Sequence, residues 1–157
     1  MFEIERDNYN KFLVKAQSVN NFKWVLGFYV NIKNIDYIID YEGAQTEIIP
    51  DTVCRYTGIR DINEKPIFEN DIIIHKDEAD TISDLYAIVK LSKYKQDGSS
   101  GEYSPTLCYG WFLHHYKFEN IPDYDDGDWL SDDYKDESIV DKYKNYHMEV
   151  HGNIFDK

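Results

Sequence analysis

The chain is poor in the residues that most often mark a secreted, membrane-bound or catalytic protein. Its two cysteines, Cys54 and Cys108, form neither a CxxC pair nor an even disulfide framework. That usage fits a reduced, cytoplasmic compartment. No stretch approaches the ~18–20 consecutive apolar residues of a membrane helix. The opening MFEIERDNYN has no basic region followed by an apolar run, as a secretory signal would. GxSxG, HExxH, a Walker-type loop and a dinucleotide fingerprint are all missing, so no enzyme class, cofactor or resident metal is expected. Bases are scarce as well, with 17 Lys and Arg against 30 Asp and Glu and a net charge of −13. Direct nucleic-acid binding is disfavoured, because it needs cations that displace phosphate counterions.

What the chain does have is apolar and aromatic material. Hydrophobic residues make up 42% of the 157, and aromatics 16%, with fourteen tyrosines. That is enough to bury a core, so the acidity does not imply disorder. The charge is uneven. Residues 1–76 carry 12 acids and 9 bases, net −3, while residues 77–157 carry 18 acids and 8 bases, net −10. Within the latter, residues 123–137 hold eight acids against Lys135 alone.

Strand patterning dominates. Trp24, Leu26, Phe28 and Val30 alternate with Val25, Gly27 and Tyr29, the period-2 signature of a strand with one better-buried face. Shorter strands are expected at residues 12–16 and 36–40, then a turn at Tyr41-Glu42-Gly43 and an interruption at Pro50-Asp51. Residues 61–64 and 69–71 read as reversals on either side of Ile67-Phe68. Ile72-Ile73-Ile74 reads as a strand buried on both sides. Leu85, Ala87, Val89 and Leu91 alternate along one strand, and Leu107, Tyr109, Trp111 and Leu113 along another, joined by a Gly- and Ser-rich connection at residues 96–105. Residues 121–137 read as an acidic surface loop that Trp129-Leu130 could pin. A short helix is expected at residues 137–146 with Ser138 as N-cap. Residues 146–154 return to strand, with Met148 and Val150 on one side. Nothing in the chain shows an internal repeat or βαβ alternation.

Three ordered motifs stand out: Trp24-Val25-x-Gly27-x-Tyr29-Val30; Tyr56-Thr57-Gly58 with Asp61, Ile67-Phe68-Glu69 and Asp71-Ile72; and Val150 with Gly152-Asn153-Ile154-Phe155. In these the chain resembles the YopX family of phage and prophage proteins. The resemblance covers residues 11–76 and 146–156 and leaves the middle as an insertion. It implies a mainly β protein with a small N-terminal β unit at residues 1–53. An SH3-like barrel would follow at residues 54–157, formed by the motif region and the C-terminal strand around an insertion at residues 77–145. It also implies oligomeric assembly, and it carries over no catalytic residues. Where the family has glycine this chain has Glu64 and Asn70. Asn tolerates the left-handed region but Glu does not, so the first turn is expected to take a different geometry.

Candidate chemistry is sparse. His147, Glu149 and His151 at i, i+2, i+4 are candidate metal ligands, but strand neighbours ~6–7 Å apart are widely set for one ion. From Asp123, an EF-hand register puts Gly127 at the fifth position and Tyr134 at the twelfth, which fails the motif. Cys54 beside Arg55 lacks a base, and His114-His115 alternate faces. The turn residues Tyr56, Arg60, Asp61, Glu69 and Asp71, with Trp129, are candidate interaction residues; their plainer role is to fix turns by hydrogen bonds. The surplus of tyrosine favours an interface. Three functions follow. The first is a non-enzymatic, self-associating interaction module that binds itself or a host or phage protein in the bacterial cytoplasm. The second is an acidic decoy for a basic host surface, and the third a metal-binding protein or enzyme.

Overall fold

The computed structural model describes residues 12–76, 82–96, 106–116, 136–138 and 147–156. These form two antiparallel sheets, as the mainly β reading requires. The first contains β1 (Val14–Gln17), β2 (Trp24–Ile32), β3 (Ile35–Ile39), β4 (Gln45–Glu47), β5 (Cys54–Arg60) and β6 (Pro66–Phe68), in the order β4-β3-β2-β1-β5-β6. The second contains β7 (Asp71–Lys76), β8 (Ile82–Gln96), β9 (Thr106–Tyr116), β10 (Asp136–Ser138) and β11 (His147–Asn153), in the order β10-β9-β8-β7-β11. Neither sheet closes into a barrel among the described residues. The chain divides into two compact units, Met1–Arg60 with Pro66–Glu69, and Asp61–Lys65 with Asn70–Lys157. Strands β5 and β6 therefore group with the N-terminal strands, and β8 and β9 share a sheet with β7.

In the first unit, β2 and β3 are joined by Lys33-Asn34, both at positive φ (52° and 66°), between the paired Ile32 and Ile35. Two left-handed residues in a two-residue loop match the twist of the flanking strands, which is why Asn is well placed there. Val14, Ala16, Ile38 and Ile48 form the core, with Val25 and Val53 packed on it. A bridge between Ser18 and Ile48 curls the sheet around that cluster. Pro50 cannot continue a ladder, and Pro50–Thr52 make one 3-10 turn. Thr52 Oγ1 accepts the Gln17 N–H at 2.9 Å and donates to the Ile49 carbonyl at 2.7 Å. The Tyr-Thr-Gly motif is a bulge. Three residues of β5 lie between the pairs Tyr56↔Phe68 and Arg60↔Pro66, against one of β6. Gly58 takes φ +83°, and the Thr57 hydroxyl donates to the Ile67 carbonyl at 2.8 Å.

In the second unit, Ile73, Ile74, Ala87, Val89, Leu113, Met148 and Val150 are buried, so period-2 burial holds along β8 and β11. Adjacent Ile73 and Ile74 are both covered, as expected for a strand enclosed on two faces. A bulge between Val150 and Gly152 shifts the phase of β11, so that buried Asn153 follows buried Val150 after three residues rather than two.

Ser138 ends β10, paired with Phe112; the helix expected after it falls on residues 139–146, outside the described residues. One expectation fails. Glu64 does adopt the left-handed conformation expected only of glycine, at φ +61°, with Asn70 at +66°. The hydrogen bonds around Asp61 described below hold it there. That conformation costs an L-residue about 1 kcal/mol or more. Glu64→Gly is expected to stabilise the fold by about 0.5–1 kcal/mol, raising the melting temperature by about 2–4 °C. Differential scanning calorimetry reads this directly, and an unchanged or lowered midpoint would mean the turn stores no strain.

Candidate interaction surface

The polar motif residues of the second unit bond to backbone groups and to one another. Asp61 is only 2% exposed. Its Oδ1 accepts the N–H groups of Asn63 and Lys65, both at 2.8 Å, and its Oδ2 accepts the Val150 N–H at 3.0 Å. The Ile62 N–H donates to the Met148 carbonyl at 2.9 Å. One carboxylate thus shapes the turn at 61–65 and fastens it along β11, whose outward edge it occupies. A parallel arrangement holds the next reversal. Asp71 Oδ1 accepts from Asn153 Nδ2 at 2.9 Å, and the Ile154 N–H donates to the Asn70 carbonyl at 3.1 Å. Asn153 Oδ1 accepts the Phe155 N–H at 3.1 Å, folding the Gly-Asn-Ile-Phe motif on itself. The two distant motifs are therefore partners in space.

The remaining candidates make other contacts. Tyr56 is buried, its ring 5.6 Å from that of Phe68. Glu69 grips Arg55 through two bonds of 2.9 Å, and its N–H donates to the Arg55 carbonyl at 2.8 Å. The guanidinium is half exposed, so this pair contributes under about 1 kcal/mol. Arg60 is half-buried, and Trp129 lies outside the described residues. On β11, Glu149 is half-buried, while His151 is the bulged residue, exposed, with its ring 5.8 Å from Tyr86. The side chains of His147 and Cys108, and the acidic stretch before Asp136, fall outside the described residues. Among those described, no three His, Cys, Asp or Glu are grouped to hold an ion. Cys54 is buried, its thiol 3.3 Å from the Thr52 carbonyl.

The feature that sequence reading missed is the outer face of β2 and β3. Direct pairing places Trp24, Leu26, Phe28, Val30 and Ile32 on one side of the sheet with Ile35, Tyr37 and Ile39. That side is opposite the core, which Val25, Gly27 and Ile38 face. Leu26 is 43% exposed, Phe28 36%, and Ile32 and Ile35 41% each. Tyr41 extends the patch, its ring edge-on to Phe28 at 5.5 Å. Lys15 borders it, its Nζ 4.7 Å from the centre of the Trp24 ring. The core side of the same hairpin turns polar toward its tip. There the Tyr29 hydroxyl and Asn31 Nδ2 both donate to Asp36 Oδ1. The Asp36 carboxyl is consequently held below the usual carboxylate range, by the Tyr29 bond first and Asn31 second. The Tyr29 phenol is pushed up by the same bond. The hairpin tip therefore gives its polar network to water on one side and an apolar stripe on the other. A legible signal existed: β2 carries its larger apolar residues at the parity opposite buried Gly27.

An antiparallel two-sheet protein whose turn motifs clasp its C-terminal strand is the class these features define. The chain belongs to the YopX family: the family model described as YopX protein matches residues 15–157. That span includes residues 77–145, which the motifs alone left as an insertion. Curated proteins hold no match to the chain, and solved structures hold none.

Proposed function

We propose that this chain is a non-enzymatic, self-associating interaction module serving a phage or prophage, and that copies meet through the outer face of β2 and β3. The observation that carries the reading is the uncovered apolar stripe from Leu26 to Ile35. Contiguous apolar surface of this kind marks an association site. Charge favours a second copy as the occupant. A chain of −13 repels itself over most of its surface. The eight residues that β2 and β3 place on this face, from Trp24 to Ile39, include no charged group, and the flanking Lys15 and Glu47, paired with Leu26 and Tyr37, carry opposite signs. The motif acids fit a structural part in this reading: Asp61 accepts from backbone donors through both oxygens, and Asp71 Oδ1 accepts from Asn153. Within this reading the motif region retains an SH3-like character, as the family resemblance implies.

Leu26→Lys/Phe28→Lys should leave the circular dichroism spectrum intact and weaken self-association at least about a hundredfold, given about 1.5–3 kcal/mol for each such side chain buried. A double variant that associates as tightly as the parent would remove this face from the reading. A parent that stays monomeric but captures a host protein through these residues would replace the second copy with that partner.

A further inference from the structure

We propose that the part of the β8–β9 ribbon beyond its pairing with β7 and β10 is a docking edge for an extended acidic peptide, which adds as a strand alongside β8. Strand β7 pairs with β8 only as far as Ile72↔Ile88, with one further bond from the Asn70 N–H to the Val89 carbonyl at 2.8 Å. Strand β10 pairs with β9 only as far as Phe112. Beyond these points β8 and β9 continue together to Gln96↔Thr106, with no third strand among the described residues. An open edge of this kind carries unpaired N–H and C=O groups at strand spacing, the template that strand addition uses.

The charge of the ribbon selects the ligand. Residues 90–96 and 106–112 contain Lys90, Lys93 and Lys95 and no acid, a local +3 in a chain of −13. Lys90, Ser92 and Lys93 are exposed, and Tyr109, paired with Lys93, is 72% exposed. The ribbon of a second copy would bring like charge against like, so it is not the occupant. A nucleic acid would gain only about three phosphate contacts against a strongly negative protein. An acidic strand gains ladder hydrogen bonds as well as ion pairs, and carboxylates two apart in it fall opposite lysines two apart at 93 and 95. This inference is independent of how the protein self-associates.

The test is titration of the full chain into a labelled peptide of alternating Glu and Thr, followed by fluorescence anisotropy, with oligothymidylate in a parallel arm. Saturable, salt-sensitive peptide binding is expected, with slowed amide exchange along Lys90–Gln96. Lys90→Gln/Lys93→Gln/Lys95→Gln, which removes the three positive charges of this stretch of β8, should weaken binding about tenfold or more. The proposal is overturned if the peptide does not bind, or if the triple variant binds it equally. It is also overturned if exchange along Lys90–Gln96 is unmoved at saturation, or if oligothymidylate binds more tightly than the peptide.

Discussion

Asp61→Ala is expected to cost about 3–5 kcal/mol, a large fraction of the stability of an ordinary domain. Its carboxylate accepts three backbone N–H bonds, and the one to Val150 is buried and spans 89 positions in sequence. Hydrogen bonds to a charged acceptor are worth about 1.5–3 kcal/mol each, and losing the acceptor leaves the Val150 amide without its partner inside the protein. Asp61→Asn keeps one oxygen, which can serve either the turn or β11, so its cost should be about half. Urea denaturation gives both values, and amide exchange at Val150 identifies the mechanism. Fast exchange at Val150 with the β8–β9 ladder still protected is the expected pattern. Equal stability of parent and alanine variant would show that the clasp is incidental.

Gly27→Ala should be nearly as damaging, at about 3 kcal/mol. A methyl group there would come within 2.8 Å of Ile38 Cγ2, with the Ile39 carbonyl oxygen closer still. The backbone of β3 cannot yield without breaking its register with β2 at Phe28↔Ile39. Because that register sets the outer face, loss of folding stability and loss of self-association should appear together in this variant. In Leu26→Lys/Phe28→Lys only association should fall. Thermal unfolding beside sedimentation velocity separates the two. A Gly27→Ala protein of parental stability would mean β3 has room that the structure does not provide.

Much of the fold was legible because strands leave period-2 traces. The alternation around Ala87 and Val89, the double burial of Ile73 and Ile74, and the inward Met148 and Val150 follow from apolar spacing alone. The pairing of the two motifs was legible as resemblance, while its physical agent was not. A buried Asp61 looks in sequence like any turn aspartate until the N–H of Val150 is seen to reach it. Glu64 was misread for the opposite reason: local preference disfavours φ +61°, and long-range hydrogen bonds overrode it. The outer face of β2 was obscured because apolar alternation reports which side is greasier. It does not report whether this chain or another molecule covers that side.

The most direct measurement is sedimentation equilibrium of the unmodified full chain across a concentration series reaching roughly tens of micromolar. The account predicts a mass that is a defined multiple of 18.7 kDa and falls toward the monomer on dilution. A mass of 18.7 kDa at every concentration would contradict it, because the stripe from Leu26 to Ile35 would then meet only water.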